Sequence, residues 1–301
     1  MIQQSRPDKI FTAINGIIVS AVTFAILYPL VFVVASSFSD PTFVNSGRVW
    51  LWPRGFTAES YSLVLRESQV WTGYRNTILY VAIDIVVSSF VILTCAYGLS
   101  RNDRVKGAGI MTFILTFTMI FSGGIIPLYL LMRSLGMIHT VWSLVLPNAA
   151  AVYLIIIART FFRTGVPKDL YDAAEIDGAG FTQTFIRIVV PLSTAIIAVV
   201  ALFKGVQQWN NFFRPLLFIT DSEKYPLPLI LRNILLANEA MSQAAMEDMG
   251  ADAMEAAARR GRLAETMKYS LIVIATFPVL MIYPFLQKYF MAGVMLGSIK
   301  G

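Results

Sequence analysis

The chain has few of the residues on which enzymes and disulfide-linked domains depend. Its 301 residues include one histidine, His139, and one cysteine, Cys95. A single cysteine excludes an intramolecular disulfide, and because Cys95 lies in an apolar run we expect it to be a small buried residue. The H-E-x-x-H and G-x-S-x-G motifs are absent, and no apolar segment contains a pair of aspartates. These absences argue against an enzyme, and we predict neither a catalytic residue nor a metal site.

Charge is also scarce. Only 14% of the residues are charged, 56% are hydrophobic, and the mean hydropathy is +0.66, which is typical of a membrane protein with several spans. The net charge of +6 comes from basic residues on the flanks of apolar segments rather than from one basic face. It therefore indicates membrane boundaries and not nucleic-acid binding.

Six apolar segments have the length of a bilayer span, roughly 20 residues each. They are about 14–36, 77–99, 109–132, 141–161, 189–209 and 269–289. A backbone inside hydrocarbon must satisfy its own hydrogen bonds, so all six are expected to be helices. The first is longer than the apolar core of a secretory signal and is predicted to be retained. The predicted fold class is an all-α membrane protein with six transmembrane helices in one domain, residues 1–301.

Basic residues in the short loops predict the orientation. The loops 100–108 and 162–188 are rich in arginine and lysine, which favours the cytoplasmic side for both loops and, with six spans, for both termini. The loop 210–268 is then external. Its Ala, Met and Glu-rich part, 238–266, is predicted to form surface helices or part of a docking surface for a soluble partner.

A polar decapeptide, YDAAEIDGAG (171–180), lies in the second of these cytoplasmic loops. A proline precedes it and two glycines end it, so the pattern predicts a short amphipathic helix outside the membrane, at about 168–179. Ala173 and Ala174 give this helix a small-residue face that another protein can approach closely. Asp172 and Glu175 flank that face as hydrogen-bond acceptors.

The decapeptide and the residues after it resemble a motif of the inner-membrane permeases of binding-protein-dependent ABC importers. The motif is written E-A-A-x-x-x-G followed by I-x-L-P, and here it reads DAAEIDG (172–178) and IVVP (188–191), with Asp for Glu and Val for Leu. Other stretches resemble the polysaccharide and oligosaccharide branch of sugar permeases, the LplC-like permeases related to the second maltose permease subunit. These stretches are AYGLSR (96–101), GGIIPLYLLMRSLGMIHT (123–140), QQWNNFFRPLLFITD (207–221) and YPFLQKYFMAGVMLGSIKG (283–301).

The resemblance implies a subunit of an ATP-driven saccharide importer in the bacterial inner membrane, with the type I importer permease fold. Such a chain pairs with a second, related permease and sits on two copies of a cytoplasmic ATPase that bind ATP and Mg. A periplasmic or lipid-anchored binding protein delivers the cargo. The chain itself is expected to bind no cofactor, and it has no G-x-x-x-x-G-K-[ST] loop for ATP.

In this family the loop helix sits in a cleft of the ATPase subunit and transmits its closure to the membrane spans. The residues that the resemblance assigns to this coupling are Asp172, Ala173, Ala174, Glu175, Asp177 and Gly178. By the same resemblance, the C-terminal tail, 291–301, either reaches between the two ATPase subunits or is a disordered end.

Two ionisable residues, Asp84 and Lys204, fall inside predicted spans, where charge is costly. Either they are buried structural groups that pair with each other or with a partner subunit, or Lys204 lines a translocation path with the polar residues after it. The residues of this predicted path are Lys204, Gln207, Gln208, Trp209, Asn210 and Asn211. A cation there favours an acidic sugar, such as an alginate or pectin fragment, whose carboxylates Lys204, Arg133 or Arg214 attract. In the maltose importer the companion permease supplies most of the sugar contacts, so the resemblance also implies the alternative that this chain contributes gating more than recognition.

Two rival functions stay open from the sequence. A self-sufficient secondary transporter usually has more spans, or inverted repeats with interrupted helices, and has no use for a cytoplasmic docking helix. A membrane-embedded enzyme has weaker support still, because the catalytic motifs are missing.

Overall fold

The computed structural model describes residues 6–101, 104–247, 263, 266–282 and 284. Over these ranges the regular secondary structure is helical, and no strand occurs among them. The helices, in chain order, are α1 (Arg6–Ser37), α2 (Pro41–Asn45), α3 (Glu59–Arg66), α4 (Ser68–Ser100), α5 (Ala108–Ile120), α6 (Ile125–Ser134), α7 (Trp142–Ala149), α8 (Val152–Thr164), α9 (Lys168–Ile176), α10 (Phe181–Thr184), α11 (Val190–Leu192), α12 (Thr194–Trp209), α13 (Phe213–Phe218), α14 (Leu227–Glu247) and α15 (Thr266–Ile282). A π-helical turn, Phe185–Val189, joins α10 to α11, and a 3₁₀ turn, Ser222–Lys224, precedes α14.

The chain divides into two compact units. The first consists of Met1–Val70 and Leu231–Phe277, and the second consists of Trp71–Ile230 and Pro278–Gly301. In the described part of the first unit, polar contacts join separate segments. The Tyr61 hydroxyl donates to Ser37 Oγ at 2.8 Å, and the hydroxyls of Ser60 and Thr266 lie 3.3 Å apart. The prediction of a single domain over 1–301 stays a prediction.

The second unit has its core where α4, α8 and α12 pack together. Buried positions of α4 recur every three or four residues, which puts them on one face of the helix. The positions on this face include Gly73, Thr77, Tyr80, Asp84, Ser88, Ile92 and Ala96. Towards the end of α4 this face meets buried residues of the other two helices, among them Leu154 and Ile155 of α8 and Ile196 and Val200 of α12.

Three of the predicted spans are bent helix pairs. Helices α5 and α6 meet at 116°, α7 and α8 at 49°, and the helix Phe181–Leu192 meets α12 at 82°. The segments 109–132, 141–161 and 189–209 are therefore not straight helices, because the chain leaves helical geometry at 121–124, at 150–151 and at Ser193. Gly124, at the first of these breaks, has a φ of +81°, which favours glycine.

Only α1 and α4 are single helices long and apolar enough to cross a membrane, and counting each bent pair as one span gives five among the described residues. The shorter apolar helix α15 lies within the sixth predicted segment, 269–289. The all-α membrane fold is thus confirmed, whereas the number of spans stays a prediction. Helix α14 extends into the segment 238–266, and the remainder of that segment falls largely outside the described residues, as does the tail 291–301.

Candidate functional site

The decapeptide forms the second half of α9 and its C-terminal cap. Pro167 precedes the helix with extended backbone angles, and the helix ends at Ile176. Gly178 follows with a φ of +73°, and its N–H donates to Glu175 O at 3.0 Å, while the Ala179 N–H donates to Ala174 O at 2.8 Å. This pair of bonds is a Schellman cap, in which glycine supplies the left-handed residue. The predicted segment, 168–179, therefore contains the helix together with its cap.

The inward face of α9 is held by Tyr171. Its side chain is buried, the Arg101 guanidinium lies 4.3 Å from its ring centroid, and its hydroxyl donates to Phe162 O at 3.4 Å. Burial raises the pKa of Tyr171 to about 12, with a smaller upward contribution from Tyr97 and an opposing one from Arg101. The phenol is therefore neutral at physiological pH, and it fixes the helix to the end of α4 and to α8 through a cation–π contact and a hydrogen bond.

Ala174 also belongs to the inward face. It is only 4% exposed, because the helix turns it to the same side as Tyr171, three residues earlier. The expectation that Ala173 and Ala174 together face a partner is corrected here, since only Ala173 is exposed. Glu175 forms an ion pair with Arg104, with both side chains about half exposed, so it contributes at most about 1 kcal/mol to holding the helix in place.

The outward face of α9 presents apolar residues. Leu170, Ala173 and Ile176 are exposed at successive spacings of three, and we name these three residues the docking face. Ile176 is 87% exposed, an unusual position for a large aliphatic side chain on a polar helix. The exposed Asp172 and Asp177 flank it. Sequence reasoning missed Ile176, although its spacing from Leu170 and Ala173 was the signal that pointed to it.

The segment after α9 leads into the membrane region through a bend. Gly180 begins the helix Phe181–Leu192, and the Tyr97 ring lies 4.5 Å from that of Phe181 and 4.8 Å from that of Phe185. Pro191 lies in the last turn of this helix, and the 82° bend into α12 follows at Ser193. Helix α9 is therefore connected to α12 through a short helix packed on Tyr97.

Asp84 and Lys204 form a buried ion pair. Lys204 Nζ lies 3.3 Å from Asp84 Oδ2, with the two side chains 0% and 2% exposed respectively. Ser88 Oγ donates to Asp84 Oδ1 at 2.8 Å, and Lys204 Nζ donates to Asn148 O at 3.0 Å and to Gln207 Oε1 at 3.3 Å. Of the two alternatives that the sequence leaves open, the structure shows the pairing, which takes the Lys204 charge away from any surface.

The other residues of the predicted path separate into buried and exposed groups. Gln208 and Trp209 are 5% and 7% exposed, so they too lie inside the protein. Gln207 and Asn210 are exposed, and Asn211 is half-buried with its amide donating to Gln208 Oε1 at 3.2 Å. The structure therefore leaves Gln207 and Asn210 as the members of the set that are open to a ligand.

Comparison with known proteins links this geometry to a family. The chain is 36% identical over 273 residues to the polygalacturonan/rhamnogalacturonan transport system permease protein YtcP of Bacillus subtilis (strain 168), covering 91% of this chain and 92% of that protein. A crystal structure of a bacterial ABC transporter involved in the import of the acidic polysaccharide alginate contains a chain with a TM-score of 0.81 and 30% identity, covering 96% of this chain and 100% of that one. The chain is a permease of the ABC sugar-importer family.

Protein LplC of Bacillus subtilis (strain 168) is 34% identical to the permease over 297 residues, covering 99% of the permease and 97% of LplC. No family model matches the sequence. The resemblance drawn from the motif is confirmed, and so is the expectation that the permease is a non-catalytic transport subunit. Membership of this family also removes the secondary transporter and the membrane-embedded enzyme as alternatives.

Proposed function

We propose that the permease forms an oligosaccharide translocation path with a second, related permease, and that α9 couples this path to a cytoplasmic ATPase. The observation that carries the proposal is the two-sided construction of α9. Its inner side is fixed by the buried Tyr171 and Ala174, and its outer side exposes the docking face. Two copies of the ATPase bind ATP and Mg, and a periplasmic or lipid-anchored binding protein supplies the cargo. The permease lies in the bacterial inner membrane with both termini in the cytoplasm.

Coupling follows from the way α9 is attached. Burying Ile176 in a cleft of the ATPase contributes about 1.5–3 kcal/mol of binding free energy, which favours a docked helix. Because Tyr171 ties α9 to the ends of α4 and α8, a closing ATPase pair moves the helix as a rigid body with the segment Phe181–Leu192. ATP acts by stabilising the closed ATPase pair and therefore the membrane conformation that belongs to it.

The proposed cargo is an acidic oligosaccharide, such as a fragment of alginate or pectin. Two similar proteins support this proposal, because the name of one states polygalacturonan as its cargo and that of the other states alginate. Both saccharides are polymers of uronic acids. Lys204 does not serve as the carboxylate ligand, because Asp84 already neutralises it in the interior. The remaining candidates are the exposed Arg133 in the last turn of α6 and the half-buried Arg214, whose Nη1 donates to Leu144 O at 3.4 Å.

The coupling proposal is tested by Ile176→Asp in the assembled importer, reconstituted in liposomes with its partner subunits. We expect this carboxylate to lower ATP-driven uptake at least about tenfold. It removes the binding free energy gained by burying Ile176 in the cleft of the ATPase, and it leaves an unpaired charge there. Leu51→Asp is the matched control, because Leu51 is also exposed but lies between the first two predicted spans, on the external side if the N-terminus is cytoplasmic. Equal uptake by the two variants would refute docking through α9.

The cargo proposal has its own measurement. Uptake of trigalacturonate by the assembled importer is compared with uptake of maltotriose, a neutral saccharide of the same length. We expect the acidic trisaccharide to be transported faster and Arg133→Gln to reduce this preference several-fold. Faster transport of maltotriose would show that the cargo is neutral.

A further inference from the structure

One face of α12 exposes a polar and aromatic stripe. Phe203, Gln207 and Asn210 are exposed and follow one another at spacings of four and three, so they lie on the same side of the helix. The ring of Tyr153, on α8, meets the ring of Phe203 edge-on with centroids 6.3 Å apart. Amide side chains are costly in contact with lipid hydrocarbon, so the exposed amides in the last turn and at the C-cap of α12 are expected to face water or a polar ligand.

The orientation of the Gln207 amide follows from its neighbour. Lys204 Nζ lies 3.3 Å from the end of the Gln207 side chain, and an ammonium group carries donors only. The atom that faces it must be the amide oxygen, which turns the NH₂ group away from Lys204. Within the described part of the chain, that NH₂ group makes no hydrogen bond to protein, so two donors stand at an exposed position.

Lys204 is itself fixed on two further sides. Asp84 holds it by charge at 3.3 Å, and the Asn148 carbonyl accepts from it at 3.0 Å. Asn148 lies in the last turn of α7, where carbonyls lack partners within the helix, so the lysine satisfies an acceptor that the break before α8 leaves open. The ammonium group therefore cannot turn away from Gln207 without breaking an ion pair and the hydrogen bond to Asn148.

We propose that Tyr153, Phe203 and Gln207 form a saccharide-binding subsite of the permease, and that Lys204 is the positioning residue for the Gln207 amide. The two aromatic rings offer apolar faces and edges to the C–H faces of a sugar ring. The Gln207 NH₂ group donates to a hydroxyl or carboxylate oxygen of the cargo. The proposal rests on the proposed function, because it places this surface on the translocation path. It keeps Gln207 from the predicted path, adds the rings of Tyr153 and Phe203, and gives Lys204 a positioning role instead of a contact with the cargo.

The decisive variant is Gln207→Glu in the assembled importer in liposomes. It preserves the size of the side chain and keeps an oxygen for Lys204, now as an ion pair, but it replaces the donor group with an acceptor. We expect transport of trigalacturonate to fall about tenfold, the effect of losing a hydrogen bond to a charged oxygen. Gln69→Glu, at an exposed position in the first turn of α4, is the matched control and is expected to transport at the wild-type rate.

A second comparison separates binding from folding. Methyl-esterified trigalacturonate lacks the carboxylates that a glutamate repels, so its transport by Gln207→Glu should fall less than that of the free acid. Phe203→Leu should slow both saccharides several-fold, because it removes a ring and keeps an apolar side chain. Lys204→Met should shift the ratio of free-acid transport to methyl-ester transport towards the ratio found for Gln207→Glu. Reduced stability alone lowers both rates and leaves this ratio unchanged.

The outcomes distinguish the two levels of the proposal. If the wild-type importer transports neither saccharide, the proposed cargo fails. If it transports them and both Gln207→Glu and Phe203→Leu behave like Gln69→Glu, the cargo stands and the subsite is refuted. An unchanged ratio of transport rates in Lys204→Met would refute the positioning role of that lysine.

Discussion

Removing one charge of the buried ion pair is expected to destabilise the permease severely. Lys204→Met leaves Asp84 inside the protein, 2% exposed, with Ser88 as its one remaining hydrogen-bond donor among the described residues. Breaking a buried pair in this way costs about 3–5 kcal/mol of unfolding free energy, because the desolvated carboxylate loses its ion-pair partner. At roughly 2–4 °C per kcal/mol for a chain of this size, the melting temperature should fall by on the order of 10 °C.

The assay is thermal unfolding of the purified importer complex in detergent, with a double-mutant cycle. Asp84→Asn combined with Lys204→Met removes both charges, so the double variant should be more stable than either single variant. The double variant should still be less stable than the wild type, by about 1 kcal/mol, because the half-buried Asn148 loses the donor to its carbonyl. Lys106→Met, at an exposed position, is the control and should change stability by less than about 0.5 kcal/mol. Additive effects of the two single changes would show that the pair is not coupled, and the reasoning would be wrong.

The glycines supply two further predictions, each with a control from the same segment. Gly178→Ala places a side chain on a residue with a φ of +73°, so it should cost about 1–2 kcal/mol of stability in the cap of α9 and lower ATP-driven uptake. Gly180→Ala is the control, because Gly180 has a φ of −70° and open space around it, and it should change neither stability nor uptake. Gly73→Ala brings a Cβ to 3.0 Å from the backbone of Leu227 and should lower thermal stability by about 1–3 kcal/mol. Gly98→Ala, in the same helix with nothing within 4 Å, should raise stability by up to about 1 kcal/mol. Equal melting temperatures for the two α4 variants would contradict the close packing at Gly73.

Local features of the sequence predicted the coupling helix well. The proline before α9 and the glycine after it act through backbone angles of single residues, and such rules are visible in a short stretch. The direction of the side chains was not visible there. Whether Ala174 or Ile176 faces inward depends on Arg101 and Phe162, which belong to other segments of the chain.

In the membrane region, too, features that depend on residues far apart in the sequence could not be predicted from local patterns. Apolar composition continues through the breaks at 121–124 and at Ser193, so hydropathy alone predicts one span where the structure has two helices at an angle. The pairing of Asp84 with Lys204 joins residues far apart in the chain and was one of two open alternatives. In the sequence, nothing distinguishes Phe203 from the other apolar residues of its segment, whereas the structure places it with Gln207 on the exposed side of α12.

The π-helical turn Phe185–Val189 has a consequence for changes of chain length. A π turn contains one residue more than the corresponding α turn, and it confines the surplus to that turn. Deleting one residue inside the turn therefore restores an α-helix and keeps the flanking faces in register. A one-residue deletion elsewhere in Phe181–Leu192 would rotate the residues before it by about 100° relative to the residues after it. Either the ring contact between Phe181 and Tyr97 would be lost, or the direction in which the chain enters α12 would change. The connection between α9 and α12 thus has one turn that can absorb a difference in length.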